Sequence, residues 1–449
     1  MTAAKGASDA RPWGAYVHFP WCLKKCPYCD FLSIPVEPRR LASPGSNSLP
    51  LRLPRAPSDA SLDAPLDAPS ARQVLPHEAY ADAVLRELDA RLPGLNVTTR
   101  PTSIFFGGGT PSLWEPEQLG RVIAALSQGS PSSSGSESAS APDPALLEIT
   151  VECNPTSFDE EHARRLVAVG VNRISLGVQS LDPERLEFLG RLHDPGGALQ
   201  AIAAAQRAGV PRISADLIFG VAGQTPEQAA AEVRRLAATG ITHLSAYALT
   251  IESNTHFGTL ARRGQLPLLD EGLVAESFRA VEEVLEAEGF CHYEISNYAR
   301  QDHLARHNLG YWRGHDYLGL GTGAWGTVRP RGSSRLRYRN TPSVERYLET
   351  WTGQPPVDAY GGGRHLADRE PIDPETELQE RLLLGLRLHE GMDVAQAEAE
   401  LGVEQLWTPR RRRARDKLLQ TGRLAWDGGR LWIPRDQWLF ADGIIAELL

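Results

Sequence analysis

Tyr16-Val-His-Phe-Pro-Trp-Cys-Leu-Lys-Lys-Cys-Pro-Tyr-Cys-Asp30 is the stretch on which the reading of this chain turns. It sets three thiols, Cys22, Cys26 and Cys29, in one short loop. Residues 14–19 alternate and carry Tyr, Val and Phe, so they read as a strand entering that loop. Thiolates hold iron in clusters, and closely spaced ones can reach several irons at once. Three ligands spaced C-x3-C-x2-C leave one iron of a four-iron cube without a protein thiolate. A closed zinc site needs a fourth ligand, which His18 could supply, but the spacing is unusual for zinc and His18 lies in the strand. The loop therefore reads as the cradle of a [4Fe-4S] cluster with an open iron.

The bulk numbers agree with that reading. Five cysteines in 449 residues are too few for a disulfide scaffold, and three of them are clustered. Cys153 and Cys291 read as buried, inert thiols. The apolar fraction of 41% is ample for a core. A net charge of −9 gives no electrostatic footprint for nucleic acid. The run Arg410 to Arg413 with Arg415 and Lys417 reads as a solvated helix face. No apolar run is long enough to span a bilayer, and Met1 to Arg11 lack the apolar stretch of a signal peptide, so a cytoplasmic protein is expected.

Outward from the loop, residues 35–75 are dominated by Pro, Ala, Ser, Leu and Asp, with the near-repeat Ser61-Leu-Asp-Ala-Pro-Leu-Asp-Ala-Pro69. They read as a disordered insertion. His77 to Leu92 has the apolar spacing of a helix face. Strands then alternate with helices. Ser103-Ile-Phe-Phe106 leads into the turn Gly107-Gly-Gly-Thr-Pro111. Further strands are expected at 146–152, 173–178, 212–219 and 243–249. A second Ser-rich insertion covers 129–144. Six strands wound by helices imply a parallel sheet, and the absence of G-x-G-x-x-G in the first unit favours an incomplete (β/α)6 barrel. The expected organisation is a disordered N-terminus (1–12), a barrel core (13–250), an extension packing on it (251–370) and a C-terminal winged helical domain (371–449).

Several residues fall where active-site groups gather in (β/α) barrels, at or just beyond strand ends: Glu152, Gln179, Arg191 and Asp216. Each could equally be a helix cap or a surface partner. The glycine turn lets backbone approach a ligand closely, although glycine turns are common. His307-Asn-Leu-Gly-Tyr-Trp312 offers an imidazole and two rings that could stack on a flat macrocycle. It could also be an aromatic patch packing two domains together.

On these residues the chain resembles the radical S-adenosylmethionine (SAM) superfamily: the C-x3-C-x2-C spacing carries the likeness, with Tyr28 before the last cysteine. Tyr16-Val-His-Phe-Pro-Trp-Cys resembles its branch of oxygen-independent coproporphyrinogen III oxidases and their relatives. The resemblance implies that SAM chelates the open iron, where one electron cleaves it to a 5′-deoxyadenosyl radical. By the same resemblance Gly109 and Thr110 belong to the loop for the SAM amino group. Tyr16, Tyr28, Glu152, Gln179, Arg191 and Asp216 are then SAM-site residues, some of which serve a second SAM in the oxidase.

The H-N-x-x-Y-W pattern and Tyr293-Glu-Ile-Ser-Asn-Tyr-Ala299 resemble the haem-chaperone (HemW) group of this branch. That implies haem as cargo with His307 near it, acceptor haemoproteins, an electron donor, and peripheral membrane contact during haem delivery. The oxidase has a further cysteine two residues after the third, where this chain has Phe31. It also has an N-terminal extension with no counterpart before Gly14. Both departures favour the chaperone group over the oxidase. The insertion at 35–75, and Trp325 where relatives tend to have His, depart from the chaperone pattern.

Overall fold

The computed structural model of the chain describes residues 11–36, 75–97, 99–128, 147–402 and 406–449. The insertion expected at 129–144 lies outside those residues, as does most of 35–75 and of the N-terminus. Pro35, the first residue of the expected insertion, instead forms with Ile34 a short strand that pairs in parallel with Trp21–Cys22.

Six strands run parallel and neighbour one another in chain order: Trp13–Phe19, Ser103–Gly108, Glu148–Cys153, Arg173–Gln179, Arg212–Phe219 and His243–Ala248. Helices His77–Arg91, Pro116–Gln128, Glu160–Ala168, Pro195–Arg207 and Pro226–Ala237 link them. Their starts are written locally. Asp194 and Thr225 each precede a proline and accept from the backbone three residues on, so the cap and the fixed proline φ act together.

The strands alternate strictly. Val17, Phe19, Ile104, Phe106, Val151, Ile174, Leu176, Ala215, Leu217 and Leu244 belong to one buried apolar core. The intervening residues are polar and bond to each other: Ser175 Oγ donates to both Asp216 carboxylate oxygens at 3.1 Å, and Ser214 Oγ pairs with His243 Nδ1 at 2.7 Å. The sheet thus has a greasy outside under helices and a polar inside.

Residues past 250, irregular by sequence, complete this sheet to twelve strands. Asn297–Ala299 and Cys291–Glu294 extend the His243 edge antiparallel. Asp316–Leu320 pairs parallel with Trp13–Phe19 on the other edge, followed by Trp325–Val328, Arg335–Asn340 and Leu366–Ile372. The tail has its own core around Leu382, Leu418, Trp438 and Ile444, with a three-stranded wing. Among the described residues no helix is long and apolar enough to cross a membrane.

The extension is riveted to the barrel by a fully buried pair. Arg91 Nε donates to Glu87 Oε1 at 2.8 Å, Arg91 Nη2 to Asn340 Oδ1 at 2.9 Å, and Tyr347 OH to Glu87 Oε2 at 2.6 Å. The Arg91 guanidinium lies 4.3 Å from the Tyr338 ring centre. Removing one partner of such a pair strands the other charge away from water. Glu87→Ala should therefore cost about 3–5 kcal/mol in equilibrium urea unfolding. A loss below about 1 kcal/mol would show that this pair does not hold the extension in place.

Candidate functional site

The cysteine loop leaves the first strand at Pro20 and is closed by the short ladder between Trp21–Cys22 and Ile34–Pro35. Val36 N donates to Cys22 O at 2.8 Å, and Cys29 N turns back to Cys26 O at 3.2 Å. The tip is pinned elsewhere, since Phe257 N donates to Pro27 O at 2.9 Å and Tyr28 packs with Leu189 and Phe257.

The glycine turn is stitched to the loop's entry. Gly109 N donates to Phe19 O and Thr110 N to Trp21 O, both at 2.7 Å. A Cβ on Gly109 would sit 2.5 Å from Trp21 O, so only glycine permits this approach. Thr110 Oγ1 lies 3.5 Å from Cys22 Sγ, and Gly108 N donates to Glu152 Oε2 at 3.2 Å.

Arg191 faces the loop from the far side. Its Nη1 lies 3.4 Å from Cys26 Sγ, its Nη2 donates to Gly177 O at 3.0 Å, and its buried Nε has no hydrogen-bond partner. Gln179 ends its strand with φ of 65°, unusual for a side-chain-bearing residue, at a break in register with the next strand. A Cβ on Gly177 would meet Gln179 Nε2 at 3.0 Å and Arg191 Nη2 at 3.3 Å, so the glycine leaves room for both polar heads. Asp216 lies mid-strand, deeper than the strand-end position expected for it.

Protonation follows burial. Burial raises the Cys22 thiol and pushes Cys29 up to about 11, and neighbouring thiols add to both. Without metal both are therefore neutral, and loading a cluster releases protons. Glu152 rises to about 8, through burial first and Asp216 second. His18 falls to about 4 through burial. Its Nε2 donates to Leu32 O at 2.9 Å, so Nδ1 is the acceptor and Tyr16 OH donates to it at 3.0 Å. That bond ties the lumen to the cysteine loop and leaves His18 without a role as a metal ligand.

His307 lies at the other end. Its helix, Arg306–Trp312, closes the floor of the lumen, at the start of the strands. The Glu148 carboxylate accepts from Arg306 N and His307 N, both at 3.0 Å. His307 Nδ1 pairs with Ser103 Oγ at 2.8 Å and Nε2 with Tyr311 OH at 2.9 Å. Its ring stacks on Phe105 with centroids 4.9 Å apart. A haem iron finds neither nitrogen free in this arrangement. Tyr293 belongs to the same floor, with its OH accepting from Ala305 N and pairing with His243 Nε2. Cys291, expected to be buried, is exposed at the sheet's outer edge; a terminal strand leaves its first residue uncovered.

The structure thus gathers the three cysteines, Gly109, Thr110, Gln179 and Arg191 at the mouth, with Tyr16, Glu152 and Asp216 beneath. It sets His307 on the floor. Sequence reading missed the polar second layer, Arg173, Ser175, Ser214, His243 and Ser245. The signal was present, since Arg173-Ile-Ser, Arg212-Ile-Ser-Ala-Asp and His243-Leu-Ser alternate polar with apolar. Three thiols on one loop, a guanidinium beside them with a spare donor, and a glycine cradle are a donor set that fits an iron–sulfur cluster and a zwitterionic ligand.

Comparison with known proteins agrees. Residues 16–236 match the Radical SAM superfamily and residues 372–440 the HemN C-terminal domain. The chain is 31% identical over 440 residues to the heme chaperone HemW of Mycobacterium tuberculosis, covering 98% of this chain and 95% of that protein. It is 34% identical to the heme chaperone HemW of Escherichia coli, covering 76% and 78%. It is 32% identical to the radical S-adenosyl methionine domain-containing protein 1, mitochondrial, of Danio rerio, covering 86% and 76%. The solved structure of coproporphyrinogen III oxidase (HemN) from Escherichia coli superposes with a TM-score of 0.70 at 18% identity, covering 98% of this chain and 90% of that one. That last likeness concerns the fold.

The raised Glu152 makes stability depend on pH. Its proton is held in the folded chain over a range where the unfolded chain has lost it. The contribution is full below the unfolded value and is lost as pH rises towards about 8. Glu152→Gln, which cannot ionise, should gain stability over wild type from about pH 5 to about pH 8 in urea unfolding of the apoprotein. A stability difference independent of pH would show that Glu152 ionises normally.

Proposed function

Because the chain belongs to the radical SAM superfamily, in the family of the HemW proteins, we propose that it is a haem chaperone: it carries a [4Fe-4S] cluster and SAM, binds haem and passes it to acceptor haemoproteins. The observation that carries this reading is the near full-length relationship to a heme chaperone, 440 aligned residues at 31% identity. The cysteine loop supports it from the other direction. Phe31, where the oxidase has a further cysteine, is 61% exposed beside the site.

In this reading Cys22, Cys26 and Cys29 are the cluster ligands, and Arg191, Gln179, Gly109 and Thr110 line the SAM site. When bound, the cluster supplies an iron open to the SAM amino and carboxylate groups, and a source of single electrons. The chain's residues hold and shape that site. Thr110 directs its hydroxyl at Cys22 and so opposes the rise that burial imposes on that thiol, and Arg191 Nη1 stands 3.4 Å from Cys26 Sγ. Glu152 keeps a proton until about pH 8, so it can both donate and accept a hydrogen bond. Tyr16 transmits the position of His18, and through it of Leu32, to the lumen.

Tyr28 packs against the cluster of Leu189 and Phe257 and so anchors the loop from below. An electron donor for the cluster and peripheral membrane contact during haem delivery belong to the same reading, as does a cytoplasmic location. The bacterial relatives fit the last point, while the vertebrate relatives carry "mitochondrial" in their names.

Anaerobic reconstitution followed by haem titration tests this. Wild type should bind haem, monitored by absorbance, and should leave coproporphyrinogen III unchanged. Conversion to protoporphyrinogen would replace the chaperone reading with the oxidase. The triple variant Cys22→Ala/Cys26→Ala/Cys29→Ala should lose the brown colour of the reconstituted cluster. Retention of that colour would remove the cluster assignment.

A further inference from the structure

Cys22 is the deepest of the three loop thiols. It is buried, whereas Cys26 and Cys29 are partly exposed. A thiolate at that position has little water to solvate it, so donors from the chain must do so.

Two hydroxyls stand beside it. Thr110 Oγ1 lies 3.5 Å from Cys22 Sγ, and Ser33 Oγ faces the same sulfur. Both residues are buried, and both are placed by backbone. Thr110 N donates to Trp21 O at 2.7 Å, one residue before the cysteine. On the other flank Ile34 N donates to Pro20 O at 2.7 Å and Val36 N to Cys22 O at 2.8 Å, which holds Ser33 against the loop's entry. Ser33 Oγ is buried without a hydrogen-bond partner, so its proton is uncommitted. A hydroxyl turns about a single bond, and this one can aim at the sulfur when the thiol becomes a thiolate. A serine present only to fill space would leave that polar atom unsatisfied in either state.

The other two thiols are faced by charge. Arg191 Nη1 stands 3.4 Å from Cys26 Sγ, and the exposed Lys25 acts on Cys29. Neutral hydroxyls at the buried sulfur add no charge and act through the hydrogen bond alone.

We propose that Ser33 and Thr110 are positioning residues for the cluster: their hydroxyls donate to the Cys22 thiolate and raise the one-electron reduction potential of the site. The proposal rests on the cluster assignment and adds to it a residue, Ser33, that lies outside the cysteine motif. Hydrogen bonds to the sulfurs are among the levers that set such potentials. The added electron increases the negative charge on the sulfur, so a donor there stabilises the reduced state more than the oxidised one. The electron comes from an external single-electron donor, and no bond at Cys22 forms or breaks.

The full chain, reconstituted anaerobically and kept free of SAM, is titrated with dithionite against redox mediators while electron paramagnetic resonance counts the reduced cluster. Thr110→Val, which keeps the shape and loses the hydroxyl, and Ser33→Ala should each lower the midpoint. The ratio of reduced to oxidised cluster at a fixed potential should fall by roughly threefold to tenfold in each, the upper end corresponding to about 59 mV. Thr110→Ser, which keeps the hydroxyl, should stay at the wild-type midpoint, and iron content should match wild type throughout. Unchanged midpoints in Thr110→Val and Ser33→Ala would overturn the proposal, and a shift in Thr110→Val alone would remove Ser33 from it. An equal shift in Thr110→Ser would assign the effect to packing and overturn it as well. So would loss of the cluster from Thr110→Val or Ser33→Ala, which would make the hydroxyls groups that retain the cluster. A wild type that takes up no cluster would instead overturn the cluster assignment itself.

Discussion

A polar group shut away from water must find a partner, and this barrel is arranged around that requirement. Its outer face is apolar because helices cover it. Its inner face is therefore the place for charge, and each strand contributes Ser, Thr, Asp, Glu, Arg or His to it. Ser175 with Asp216, Ser214 with His243 and Ser103 with His307 are the solutions found. Groups left over, such as Arg191 Nε and Thr150 Oγ1, are buried without a partner, as expected of a lumen made to receive a polar ligand.

The two ends of the lumen are closed differently. At the mouth, backbone does the work: the glycine turn donates two amides to the strand that carries the cysteine loop, and a single Cβ would part them. At the floor, a carboxylate does it. Glu148 receives two amides from the start of the floor helix, where a negative charge suits the helix dipole. Stacked rings of Tyr16, Phe105 and His307 join the ends through the lumen. A shift of the floor helix therefore reaches the cysteine loop through Tyr16 and His18.

Much of this was legible in the residues. The spacing of Cys22, Cys26 and Cys29 is by itself the pattern of a cluster-binding loop. The strand–helix alternation declares a parallel sheet, because the period of apolar residues changes between 2 and 3.6. Gly107 to Pro111 marks a close backbone approach. Proline behind Asp194 and Thr225 sets helix starts within a residue or so. Local chemistry governs all of these, so the local sequence reports them.

Tertiary structure decided the rest. That residues 291–299 and 316–372 extend the same sheet on opposite edges depends on the pairing of Asn297 with Ser245 and of Tyr16 with Gly319, which no local period encodes. Whether His307 offers a free nitrogen depends on what surrounds its ring. Ser103, from a strand about two hundred residues earlier, and Tyr311, from its own helix, take both of its nitrogens. Sequence determines which side chains are available for chemistry; their exposure and bonding are set by packing between distant segments, since availability of a lone pair is a property of the surroundings and not of the residue.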